Sequence, residues 1–149
     1  MVIDHEIHIA AAPDAVWSIT TDVERWPSWT PTVTSVARID RGPFGLGSVA
    51  RIKQPAQPTA YWTVTEFAEG RRFVWETRQP GLRLKGAHEL TPEGTGTKNR
   101  LRVEAKGTLA FFLRPLLRLA MRRALAAENH GLKARCERSL ANPPLAVAA

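Results

Sequence analysis

A single cysteine, Cys136, occurs among 149 residues, which excludes an internal disulfide and any metal site built from clustered cysteines. Long hydrophobic runs are also missing: no stretch approaches the ~20 apolar residues that span a bilayer as a helix. Acidic residues are the minority, 14 against 21 Lys and Arg, leaving a formal net charge of +7. The opening MVIDHEIHIAAAP lacks the basic start and apolar core of a signal peptide, so a cytoplasmic location is expected. His5, His8, His88 and His130 are scattered. They show neither the i, i+4 helical pair nor the carboxylate companions of a zinc site, and no metal or other cofactor is expected.

The excess of positive charge raises the question of a polyanionic partner. Ten arginines are spread from Arg25 to Arg102. They form no Lys/Arg block interleaved with aromatics and no zinc-finger, RNP or helix-turn-helix spacing, so nucleic-acid binding is not expected. Peripheral contact with a membrane surface and the oligomeric state stay open.

The composition, 44% hydrophobic and 23% charged, is that of an ordinary globular chain. Residues 1–140 are read as one domain and 141–149 as a disordered tail. Residues 3–9 alternate Ile3, His5, Ile7 and Ile9 against Asp4, Glu6 and His8, the pattern of a half-buried strand. Pro13 suits the first turn of a helix over 13–21. Asp22 suits the N-cap of a second short helix, which the Trp26-Pro27 pair should end near Arg25. From 32 to 107 the period falls to two. Strands are expected over 32–40, 48–54, 60–68, 71–79, 82–91 and 98–106, joined by Gly- and Pro-rich turns as an antiparallel meander. A last helix, roughly 109–140, is expected to cover the sheet. Its wheel places Leu113, Leu116, Ala120, Ala124, Ala127, Gly131 and Ala134 on one side, with Arg114, Arg118, Arg122 and Lys133 on the opposite side and Cys136 on that arginine side. The resulting β-αα-β6-α order is an α+β architecture.

Several segments invite functional readings. His88 lies among Leu84, Gly86 and Leu90 on the apolar face of its strand and is the candidate general acid or base, although no orienting partner is evident in the sequence. The turn GPFGLGS has no Lys-Ser/Thr ending and precedes a strand, so it is a turn and not a phosphate cradle. Trp62 and Trp75 occupy neighbouring strands. In DVERWPSWTPTV, Pro27 and Pro31 restrict the backbone around Trp26 and Trp29. Trp26 is assigned to packing, and Trp29 stands equally as packing or as the rim of a site.

Taken in order, APDAVWSITTDVERWPSWTPTV, GPFGLGS, VTEFAEGRRFVWET, HELTPEGTGT and FFLRPLLRLAMRRALAAENHGLKARCE resemble the START-like, Bet v 1-like superfamily, in its polyketide cyclase/dehydrase and lipid-transport branch. The resemblance covers residues 2 to about 140. It implies a helix-grip fold of about seven curved antiparallel strands wrapped around the C-terminal helix, with an internal cavity between them. It further implies a small hydrophobic ligand such as a lipid, a polyketide or a related aromatic or isoprenoid molecule. Trp29, Phe44, Trp62, Trp75, Leu84, His88, Leu116, Ala120 and Ala124 are the candidate lining residues, with Phe44 and Leu46 as a movable lid. Three roles stay open: binding or transport of such a molecule, a cyclase or dehydratase activity using His88, and a closed-pocket protein contacting a partner or membrane.

Overall fold

The computed structural model describes residues 1–141. Seven strands form one antiparallel sheet in the order β1-β7-β6-β5-β4-β3-β2. They are β1 (Val2–Ile9), β2 (Ser35–Arg38), β3 (Val49–Lys53), β4 (Ala60–Ala68), β5 (Arg72–Gln79), β6 (Leu82–Glu93) and β7 (Gly96–Lys106). The helices are α1 (Pro13–Thr21), a 3₁₀ turn (Val23–Ser28), α2 (Thr108–Phe112) and α3 (Arg114–Ala141). The architecture is the α+β helix grip expected from the sequence. The tail beyond residue 141 lies outside the described residues.

Alternation builds the sheet as read. Ile3 and Ile9 are buried while Asp4, Glu6 and His8 are exposed, and β1 joins the meander by pairing with β7, Ile3 opposite Val103. A bulge between Val64 and Glu66 shifts the phase of β4. Trp62, Val64 and then Phe67 consequently turn to the core side, because an extra residue re-aims everything beyond it. The expected strand over 32–40 is reduced to Ser35–Arg38. Just beyond it, the Asp40 carboxylate accepts from the backbone N–H of Val49 at 2.9 Å and occupies a ladder position with a side chain.

The segment after α1 departs from expectation. The turn does not stop at Arg25 but runs through Trp26 and Pro27 to Ser28. In this tight geometry Arg25 N–H bonds Asp22 C=O and Trp29 N–H bonds Trp26 C=O, closing the turn on either side of Pro27, which has no N–H to add. Asp22 makes no side-chain cap; it pairs with Arg25 at 3.2 Å.

The last helix is divided at Leu113, with Pro115 in the first turn of α3, where its ring and missing N–H fit. From there α3 runs beside β1 in the same direction. Leu125 packs with Ile3, Asn129 binds the His5 backbone at 3.1 Å, and Lys133 and Glu137 bond the backbone at His8 and Ala10. The buried face of α3 is Leu125, Asn129, Leu132 and Cys136, rotated from the wheel expected. Cys136 belongs to the core, and burial pushes its thiol pKa up to about 11. Leu113, Leu116, Ala120 and Ala134 are exposed. Asn129 explains the misreading. It is fully buried and carries a polar clamp, accepting from Asn99 Nδ2 at 2.6 Å, so the true inner seam contains a residue that hydropathy assigns outside.

Candidate ligand-binding site

Where the second half of α3 faces the sheet, the interior is an aromatic nest. Trp26 is its hub: its ring lies 5.2 Å from Trp75, 5.3 Å from His88 and 5.6 Å from Trp29. Trp75 contacts Trp62 at 5.5 Å and Phe73 at 5.4 Å. Register explains the crowding. Trp75 stands opposite Gly86, and Phe73 opposite His88. A Cβ at Gly86 would come within 3.2 Å of Trp75 Nε1, so glycine is what lets the indole lie across its neighbouring strand. The His88 ring stacks on Phe73 at 4.4 Å, nearly parallel.

His88 is buried and is not alone. Its Nε2 lies 3.1 Å from Glu128 Oε1, the carboxylate reaching in from α3. With Nε2–H donating to the carboxylate, Nδ1 is the free ring nitrogen, and it has no hydrogen-bond partner in the protein. Glu128 is the residue that sequence reasoning missed. Its one available signal is that it is the sole acid between Glu104 and Glu137.

Two other buried ring nitrogens share this condition: Trp29 Nε1 and Trp62 Nε1 make no hydrogen bond. Two other indoles of the interior are satisfied, Trp26 donating to Thr20 C=O at 3.0 Å and Trp17 to Glu69 at 3.0 Å. Buried polar groups without partners are uncommon and costly. Among the described residues, three of the seven such side-chain atoms, Trp29 Nε1, Trp62 Nε1 and His88 Nδ1, belong to this aromatic cluster.

Trp26 and Trp29 therefore separate in role. Trp26 is anchored core. Trp29 packs on Trp26 and also borders a surface hollow of about 270 Å³ shared with Ser18, Ile19, Asp22, Arg25, Ser28 and Arg135. The carbonyl of Trp29 presses on α3 at Gly131, where a Cβ would penetrate that oxygen's contact shell. The 3₁₀ turn and the helix are thus seated on each other through bare backbone.

Phe44 closes the sheet side, edge-on to Phe73 at 5.2 Å and to Trp75 at 6.4 Å. Its loop is tied down. Asp40 accepts from Val49 N–H, from Arg38 at 2.7 Å and from Ser48 Oγ at 2.9 Å. Burial works to raise the pKa of Asp40, but these hydrogen bonds outweigh it and hold the carboxyl at about 2. The Arg38 guanidinium also lies 5.7 Å from the Phe44 ring centroid. Leu46 does not join the nest and is exposed.

Of the residues singled out in the sequence, Trp29, Phe44, Trp62, Trp75, Leu84 and His88 are in or packed against this cluster. Leu116 and Ala120 are not: both face outward, and Ala124 is only half-buried. They lie in the part of α3 that precedes its contact with Ile3, one or more turns from the nest. Among the described residues, no three His, Cys, Asp or Glu side chains are grouped to hold a metal ion.

A curved seven-stranded sheet gripping a long C-terminal helix over an aromatic interior is the START-like helix-grip class. Residues 2–137 match the family described as polyketide cyclase/dehydrase and lipid transport, and the chain belongs to it. Solved structures agree on the fold. The chain is similar to a START superfamily protein from Mycobacterium smegmatis, with 18% identity, TM-score 0.78, and 92% and 97% of the two chains covered. It is also similar to the Zhui aromatase/cyclase from Streptomyces sp. R1128, with 18% identity, TM-score 0.76, and 100% and 99% covered. The di-domain ARO/CYC StfQ of the steffimycin biosynthetic pathway matches at 17% identity and TM-score 0.75, over 94% of this chain and 51% of that one. No curated protein matches the sequence.

Proposed function

We propose that the protein binds a small hydrophobic molecule carrying hydrogen-bonding oxygens in the nest between the sheet and the second half of α3. The observation that carries this reading is the set of three buried ring nitrogens without partners, Trp29 Nε1, Trp62 Nε1 and His88 Nδ1, inside an otherwise apolar enclosure. Indole N–H groups donate, so they select for carbonyl, hydroxyl or ether oxygens on a flat or lipid-like body. The family description supports the same class, lipids and polyketides. Trp29, Phe44, Trp62, Trp75, Leu84 and His88 are the lining residues in this reading.

Native mass spectrometry of the purified protein should reveal a co-purifying molecule of this kind. Replacing Trp62 with Phe keeps a ring and removes the donor, so affinity for that molecule should fall about tenfold, the worth of one hydrogen bond. An empty protein that also binds none of a panel of lipids and aromatic polyketides would refute the proposal.

One observation favours a second reading, a cyclase or dehydratase. His88 is oriented by Glu128, the arrangement a general base uses. In an intramolecular aldol closure, Nδ1 would take the proton α to a carbonyl while the new carbon–carbon bond forms. The imidazolium, held by Glu128, would return that proton to the alkoxide so formed, leaving a hydroxyl. For dehydration Nδ1 would then take the second α proton, and the imidazolium would deliver it to the hydroxyl as it departs as water. Under this reading His88→Ala retains binding and loses turnover. Under simple binding or transport, no candidate polyketide is turned over at all.

A further inference from the structure

We propose that α2 and the first half of α3 form a docking surface for an anionic lipid membrane. Phe111 and Phe112 are 74% and 75% exposed, Leu116 65% and Leu119 49%. These are bulky apolar side chains on a segment that ordinarily turns such residues inward. On the helix wheel Leu117, Met121 and Leu125 face the protein, Met121 and Leu125 packing with Met1, Ile3 and Leu101. Leu116 and Leu119 project from the opposite side, which a surface helix normally makes polar. This part of α3 overhangs the start of β1, so no strand lies beneath its outer face. At the bend before it, Phe111 and Phe112 pack edge-to-face on each other at 5.2 Å.

Charge decides what the surface suits. From residue 105 to 127 the sequence contains no Asp or Glu but has Lys106, Arg114, Arg118, Arg122 and Arg123. Among the described residues those four arginines enter no salt bridge. A second copy of this chain would bring like charge against like. A nucleic acid would satisfy the arginines and leave the phenylalanines and leucines in water. An anionic bilayer accepts both, apolar groups entering the acyl boundary while guanidinium groups stay at the phosphates. The inference is independent of what the aromatic nest holds.

The test is co-sedimentation of the full chain with vesicles of phosphatidylcholine alone and of phosphatidylcholine mixed with phosphatidylglycerol. Binding is expected to the mixed vesicles and to weaken with added salt. Arg118→Gln/Arg122→Gln/Arg123→Gln should reduce the partition constant by about a hundredfold, at roughly one kcal/mol per charge. Phe111→Ser/Phe112→Ser should reduce it by at least about tenfold. All five positions in these two variants lie outside the core clusters, so unchanged circular dichroism is expected. No binding to either vesicle, equal binding to both, or full binding by the Phe111→Ser/Phe112→Ser variant would each overturn the proposal. So would a wild-type dimer in light scattering that this variant converts to monomer.

Discussion

Glu128 Oε1 and His88 Nε2 meet at 3.1 Å across the interface between α3 and β6, with both side chains largely removed from solvent. The pair fixes which imidazole nitrogen faces the nest, and it ties the helix to the middle of the sheet. Glu128→Leu would strip the acceptor from a buried N–H and should destabilise the fold by about 1–3 kcal/mol. Glu128→Gln keeps an acceptor oxygen and should cost less. Urea unfolding of the two variants checks this ordering, and equal losses would show that the hydrogen bond contributes nothing specific.

Gly131 offers a test in which the usual sign reverses. Ala in place of a mid-helix Gly ordinarily stabilises by about 1 kcal/mol. Here the added methyl would collide with the backbone carbonyl of Trp29, and backbone cannot rotate aside. Gly131→Ala should therefore destabilise by about 1–3 kcal/mol, read as a lower urea midpoint. A stabilised variant would mean that the 3₁₀ turn and α3 separate easily.

Asp40 makes stability depend on acid. Its folded-state pKa of about 2 lies below the unfolded value of about 3.9. The contribution is therefore complete above about pH 4 and disappears as pH falls from there through about 2. The carboxylate is partly exposed, its side chain 29% accessible, so solvent screening limits the contribution to about 1–2 kcal/mol. Unfolding curves of wild type and Asp40→Asn should differ at pH 6 and converge near pH 2. A gap that persists at pH 2 would place the effect elsewhere. The same variant should loosen the loop that seats Phe44, raising hydrogen exchange at the Val49 amide.

Cys136 should be almost inert in the native protein. With its thiol pKa at about 11 and its side chain in the core, reaction with an aromatic disulfide reagent at pH 8 should be at least about a hundredfold slower than in urea. Equal rates would show that the C-terminal turns of α3 open freely.

The sheet was legible because alternation leaves one consistent answer. Leu84, Gly86, His88 and Leu90 point one way along β6, and reversing them would bury Arg83, Lys85 and Glu89. The bulge after Val64 was not legible, since either phase of TVTEFA places an apolar residue inward. The outer helix was harder. In a segment composed mainly of Leu, Ala and Arg, two seams compete on hydropathy. The real one runs through Asn129, whose burial makes sense only once Asn99 and His5 are beside it. Glu128 was hidden for a related reason, because its partner is forty positions away. Trp29 could be placed near α3 by its order in the chain, but its contact through a carbonyl oxygen leaves no mark on side-chain identity beyond the glycine it requires.

The sheet order begins with β1 and continues with β7, so the first strand made is the last that can be placed. While the ribosome is still adding residues 96–106, the segment from Val2 to Ile9 has no edge to join. The α3 residues that brace it, Leu125 to Glu137, emerge later still. An unpaired, partly apolar β1 must therefore wait until β7 has been synthesised. Asp4, Glu6 and His8 on its open face then serve a purpose before folding as well as after it, keeping that waiting strand soluble.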